Sequence, residues 1–348
     1  MKKIIFFIIL FIMPFCVFAK NNNSTIVMDI DSGRVLYQSN AVQKKLIAST
    51  TKIMTCIIVL ENFDINNELV VGDEVLSMYG TNIYIEPGEK IKIIDLLYGL
   101  MLRSGNDAAI TLAYNTFGEE KFIKEMNEKA KKLGMYNTVF ANPHGLDDDT
   151  ENYSTAYDMA LLSKYAYNNP IYRKIISTKK YVTKSSLKKY VWYNRMSLLS
   201  KYNNCIGGKN GYTPRAGKSL VSYAKKDDMV LTIVSLNDSD IYENHSALYE
   251  KIFKEYKNYK IIDNKDIIID GYYAKNSFKY PLTKDELDDV FTLVKIDSIG
   301  NTGEIDINLK KQRIGNVKLY KNEKIKKEKK SLFKQIADLF CRYSKKVY

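Results

Sequence analysis

Ser49 and Lys52 stand three residues apart in Ala48-Ser49-Thr50-Thr51-Lys52-Ile53-Met54-Thr55. On a helix that spacing puts a hydroxyl and an amine on one face, one turn apart. A neutral amine there takes the hydroxyl proton and makes Ser49 a nucleophile, provided burial or nearby positive charge lowers the Lys52 pKa. Backbone N–H groups at such a helix start also face a developing oxyanion. Two further groups follow, Ser104-Gly105-Asn106 and Lys209-Asn210-Gly211, spaced 55 and then 105 residues on. Ser104 is suited to relay a proton to a leaving amine and Asn106 to bond a substrate amide. Lys209 offers charge to a terminal carboxylate, and Gly211 lets an extended substrate approach a strand closely. The chemistry this set describes is acyl transfer at a serine.

Each group alone is weak. Ser-x-x-Lys also starts at Ser177, Ser185, Ser186, Ser222 and Ser331, while Ser-x-Asn and Lys-x-Gly recur at Ser235 and Lys132. Ser49 by itself reads equally as an N-cap, and Ser104-Gly105-Asn106 as a helix-breaking turn. The ordered set behind an export signal is what carries weight. His144, in a turn-like segment, and His245, in a loop or helix start, form no His-x-x-x-His pair, so structural roles are expected of both and no metal or cofactor is expected.

The export signal comprises Lys2 and Lys3, the apolar run from Ile4 to Phe18, and Val17-Phe18-Ala19 at the cleavage positions. Residues 1–19 read as a signal peptide, the run being shorter than a membrane span needs. Cys16 leaves with it. Cys56, Cys205 and Cys341 remain, an odd set that argues against a disulfide framework or a zinc site. The formal charge of the chain is +13, and residues 321–348 hold ten Lys or Arg against Glu323, Glu328 and Asp338. Nucleic acid fits such charge, but export argues for an anionic membrane face or wall polymer. Leu332, Phe333, Ile336, Leu339, Phe340 and Tyr343 recur at helical spacing, so residues 323–348 read as a basic amphipathic helix in a membrane interface, with a solvated or self-docked tail as the alternative.

The elements that must position the chemistry follow from periodicity. Thr25 to Ile30 and Arg34 to Gln38 flank the turn Asp31-Ser32-Gly33 and predict a hairpin. Helices are predicted from Ser49, over Ile94 to Ala109, Phe122 to Leu133, Tyr157 to Tyr167 and Tyr249 to Tyr256. Ser219 to Ala224 and Met229 to Leu236 read as strands. Strands at both ends with helices between imply a sheet built from distant segments, an α+β domain over residues 20–259. Short strand candidates beyond Tyr259 predict a small all-β domain at 260–322.

These residues carry a resemblance. The Ser49, Ser104 and Lys209 segments are similar to the active-site signatures of serine D-alanyl-D-alanine carboxypeptidases, the low-molecular-weight penicillin-binding proteins. Glu86-Pro87-Gly88-Glu89, Asn142-Pro143-His144-Gly145-Leu146-Asp147 and Tyr153-Ser154-Thr155-Ala156-Tyr157-Asp158 extend the likeness over about Thr25 to Tyr256. The resemblance implies a penicillin-binding/β-lactamase-like serine transpeptidase fold and an exported enzyme trimming peptidoglycan stem peptides, with β-lactams as acylating inhibitors. Ser49 would attack the penultimate D-Ala carbonyl with Lys52 as base and Ser104 assisting proton transfer. Asn106, Lys209, Asn210 and Gly211 would bind substrate, and the N–H groups of Ser49 and Tyr212 would form the oxyanion hole. Asn210 departs from the Thr or Ser usual there, which leaves a catalytically weakened wall-peptide-binding relative as the alternative. A β-lactamase is disfavoured, since no Glu-x-x-Leu-Asn segment lies between Ser104 and Lys209.

Overall fold

The computed structural model describes residues 23–264, 267–269, 271–297 and 302–321, so the leader and the basic tail lie outside the described residues. The first part of the chain is organised by a five-stranded antiparallel sheet. Its spatial order is Val35–Ser39, Ser24–Asp29, Met229–Leu236, Gly217–Lys226 and Cys205–Thr213. The N-terminal hairpin therefore pairs with strands about two hundred residues away, with Thr25 opposite Ser235 and Asp29 opposite Leu231. Cys205–Thr213 forms the edge, pairing only with Gly217–Lys226, with Gly211 opposite Ser219.

Both sheet faces are covered, so the central strands are apolar on both sides instead of alternating. Leu220, Leu231 and Ile233 pack against Tyr249 and Ile252 of the long C-terminal helix, whereas Val221, Tyr223 and Val234 join the larger core beneath the other helices. In chain order the helices are α1 (Lys52–Asn62), α2 (Ile93–Tyr98), α3 (Asn106–Thr116), α4 (Glu119–Lys132), α5 (Ala156–Tyr167), α6 (Pro170–Ser177), α7 (Leu198–Lys201) and α8 (Ile241–Glu255). Local chemistry sets several starts. The Thr155 hydroxyl accepts from Asp158 N to cap α5, and Asn169 caps α6 with Pro170 in its first turn.

Two expectations need correction. The helix expected over Ile94 to Ala109 is broken: α2 runs into a wide π-type turn at Gly99–Arg103, Ser104 adopts φ +65°, and α3 starts afresh at Asn106. Apolar periodicity continues across the break, which is why the sequence reads as one helix. The closing helix begins at Ile241, eight residues before its expected start. Its first turn carries the exposed Glu243 and also Asn244, which bonds Asp238, and these polar residues hide the helical pattern in the sequence.

A second β region follows, with strand order Ile267–Ile269, Tyr272–Ala274, Gln312–Lys321, Thr302–Leu309 and Val290–Ile296. Ile305, Ile307, Val317 and Leu319 form its core with Ile262 and Tyr272. Its lead-in strand Lys257–Ile262 pairs with Phe278–Leu282 and straddles the expected boundary at residue 260. Arg34 of the N-terminal hairpin joins the two regions: its guanidinium donates to the Pro281 carbonyl at 2.5 Å, pairs with Glu286, and lies over the Tyr256 and Tyr280 rings.

Candidate active site

Ser49 lies in a tight 3-10 turn, Ala48–Thr51, immediately before α1. It caps nothing: its Oγ accepts from Lys52 Nζ at 3.0 Å. The turn is strained, because Ala48 sits at φ +47°, a region non-glycine residues seldom occupy. Two glycines hold it from either side. A Cβ on Gly145 would come within 2.0 Å of the Ala48 carbonyl oxygen, and one on Gly211 within 2.9 Å of Ser49 N. The edge strand thus lies directly against the nucleophile turn.

Lys52 is fully buried, and its Nζ lies within hydrogen-bond distance of three oxygens: Ser49 Oγ, Asn106 Oδ1 at 2.8 Å and the His144 carbonyl at 2.5 Å. Burial pushes its pKa well below the usual lysine value, and the nearby charge of Lys209 pushes the same way, against a smaller upward pull from Asp107. A lowered pKa and contact with a hydroxyl are the two properties that a general base at this position requires.

Lys209 occupies the inward side of the edge strand with 1% of its surface exposed. It donates to Ser104 Oγ at 3.0 Å and to the Asn210 carbonyl at 2.6 Å. Burial lowers its pKa to about 7, helped by the charge of Arg195. A bound carboxylate would raise it again, since an opposite charge favours the ammonium form.

The break after α2 explains how Ser104 and Asn106 serve two lysines at once. With Ser104 left-handed, its hydroxyl turns to Lys209 while the Asn106 side chain, two residues on, turns to Lys52. One N–H of the Asn106 amide donates to the Tyr79 carbonyl at 2.7 Å, leaving the second for a substrate. The structure therefore brings Ser49, Lys52, Ser104, Asn106, Lys209 and Gly211 together. Asn210 and Tyr212 project from the alternate side of the strand. The Asn210 amide is half-buried and bonds to no described protein group, and the Tyr212 ring is exposed.

Supporting residues went unread in the sequence. The buried Asp107 carboxylate accepts from the backbone N–H groups of Ile83, Tyr84, Ile85 and Ala108, fixing the loop that also supplies the Tyr79 carbonyl. Asn142 and Asn152 satisfy the backbone of the segment carrying His144 and Gly145, and Asn152 also donates to Thr51 Oγ1 at 2.9 Å. Arg195 reaches Thr81 Oγ1 at 3.2 Å. Asp107 directly follows the Ser-Gly-Asn group and was readable from position; Arg195 had no local signal. Among the described residues, neither imidazole bonds to Ser49, Lys52, Ser104 or Lys209. His144 contributes its carbonyl, and burial holds its imidazole down at about 3. His245 bonds Ser222 in the core beneath α8.

The chain is similar to known proteins in sequence and in fold. The family described as D-alanyl-D-alanine carboxypeptidase matches residues 18–240. The D-alanyl-D-alanine carboxypeptidase DacF of Bacillus subtilis is 32% identical over 272 residues, covering 75% of this chain and 70% of its own. DacC of Escherichia coli, which carries the same description, is 38% identical over 224 residues, covering 61% and 55%. Among solved structures, penicillin binding protein 5 of Haemophilus influenzae has the same fold, with a TM-score of 0.71 over 86% of this chain and 95% of its own at 24% identity. A D-alanyl-D-alanine carboxypeptidase of Mycobacterium tuberculosis matches at 30% identity with a TM-score of 0.64, covering 66% and 90%.

Proposed function

This chain belongs to the D-alanyl-D-alanine carboxypeptidase family, and on that premise we propose that Ser49 is its acyl carrier and Lys52 its base. Neutral Lys52 takes the Ser49 proton as Oγ attacks the penultimate D-Ala carbonyl, forming the Oγ–C bond. The N–H groups of Ser49 and Tyr212 receive the oxyanion. The C–N bond then breaks, and a proton passing through Ser104 lets the terminal D-Ala leave as a neutral amine. Lys209 holds the terminal carboxylate, and the free amide of Asn210, turned to the other side of the strand, has to reach round its edge to join it. Asn106 supports the substrate amide with its remaining N–H. Water hydrolyses the acyl-enzyme with Lys52 returning the proton. The same nucleophile opens a β-lactam.

The observation that carries this reading is the 3.0 Å contact of Ser49 Oγ with a fully buried lysine whose pKa is pushed far down. We place the reaction outside the cytoplasmic membrane on peptidoglycan stem peptides, with residues 323–348 associating with an anionic membrane face. The apolar leader and the basic tail composition support that placement. The test is D-Ala release from a diacyl-Lys-D-Ala-D-Ala peptide. Wild type should release D-Ala and Ser49→Ala should not. Release that survives in Ser49→Ala, or a folded wild type that acylates with penicillin yet releases nothing, overturns the assignment.

A further inference from the structure

We propose that the outer face of the hairpin formed by Lys180–Lys184 and Lys189–Tyr193 is a docking surface for a linear polyanion. The segment from Lys179 to Arg195 carries five lysines, one arginine and no Asp or Glu. Strand alternation sorts it into two unlike faces. Tyr181, Tyr190 and Trp192 form the inward side: Tyr181 stacks on Tyr98 with centroids 3.6 Å apart, Trp192 stacks on Tyr181, and Tyr190 lies tilted against Trp192. Their hydroxyls use up the neighbouring buried acids, Tyr181 donating to Asp95 at 2.6 Å and Tyr190 to Glu89 at 2.7 Å.

The outward face consists of Lys180, Val182 and Lys184 opposite Tyr193, Val191 and Lys189. All six are exposed. Among the described residues, Lys180, Lys184 and Lys189 have no carboxylate within ion-pair distance; the one acid at hand, Glu86, is taken by Lys188. Lys180 and Lys184 are about 14 Å apart along the strand at ~3.4 Å per residue. Cations strung along a flat ribbon suit an extended polymer.

A lipid surface fits less well. The tip carrying exposed Leu187 is tied down by Ser186, whose N–H donates to the Lys90 carbonyl at 2.9 Å and whose hydroxyl accepts from Lys90 N at 2.8 Å. The ribbon also adjoins the catalytic lobe: Arg195 N donates to the Leu102 carbonyl at 3.0 Å, two residues before Ser104. This surface lies outside the peptide-trimming machinery, so its test does not depend on that reading.

The purified full chain is titrated into labelled poly(glycerol phosphate), poly-γ-glutamate and vesicles of phosphatidylglycerol with phosphatidylcholine, at two salt concentrations. The compared proteins are Lys180→Ser/Lys184→Ser/Lys189→Ser, the same triple to Arg, and Lys225→Ser/Lys226→Ser/Lys311→Ser as a charge-matched control. Three neutralised contacts predict roughly twentyfold weaker polymer binding over a fourfold salt increase, using the single-strand salt slope. The hairpin Ser triple should lose most of that binding, and the Arg triple and the control should keep it. Turnover of the small peptide should not change in any of them. Salt-sensitive binding of the polymers that the hairpin Ser triple loses supports the proposal, because the recognised chemistry is a line of negative charge. Equal losses in the hairpin and control Ser triples, loss in the Arg triple, or loss of vesicle binding with polymer binding intact would overturn the proposal.

Discussion

Gly211→Ala is the sharpest test of how the edge strand supports the nucleophile. A Cβ at this position would lie 2.9 Å from Ser49 N, 3.1 Å from Thr50 N and 3.2 Å from the Ala48 Cβ, where ordinary contact begins at 3.4 Å. The nearest atom belongs to the backbone, so a rotamer change offers no relief and the turn must retreat by about 0.5 Å. A 1 Å misplacement of reacting groups costs about a hundredfold in rate, so half that shift predicts about a tenfold loss, or ~1.4 kcal/mol in barrier. The fold should lose ~1–3 kcal/mol from overpacking. Steady-state D-Ala release and the acylation rate with a fluorescent penicillin should fall together, since both begin at Ser49 Oγ. Ala48→Gly should restore part of the loss in the double variant, because it removes the atom 3.2 Å away and suits a residue at φ +47°. Unchanged acylation in a folded Gly211→Ala protein, or strict additivity in the double variant, would refute the reasoning.

Three further outcomes follow from the site. Arg195→Met removes a charge that lowers the Lys209 pKa from its present value of about 7, so the alkaline limb of kcat/KM, where Lys209 loses its proton, should move to higher pH; a limb that stays put or moves down assigns it to another group. Asp107→Asn weakens the charged acceptor of four backbone N–H groups, and should cost about 3 kcal/mol of stability in denaturant unfolding together with a drop in kcat through the loosened Tyr79–Ile85 loop. Asn210→Thr exchanges a free planar amide for a hydroxyl on the residue after Lys209, and a gain of roughly tenfold or more in kcat/KM, about 1.5–3 kcal/mol, would show that the amide is the weaker carboxylate partner.

Much of this protein was legible along the chain because its signals are local. The Ser49–Lys52 spacing, the hairpin around Ser32 and Gly33, and the strands near Ser219 and Met229 each depend on neighbours a few residues away. Separation hid what those residues meet. No local rule states that Gly145 and Gly211 close on the Ala48 peptide, 97 and 163 residues along the chain from it, or that Arg195 bears on Lys209 from a different segment. The misread helix at Ile94 to Ala109 shows the same division. Its apolar pattern is continuous, but in the fold Ser104 takes a left-handed turn that sends its hydroxyl to Lys209 and the Asn106 side chain to Lys52. Residue types determined which groups carry the chemistry; packing of distant segments decided their pKa values, their partners and the strain at Ala48, since burial and charge proximity exist only once the chain has folded.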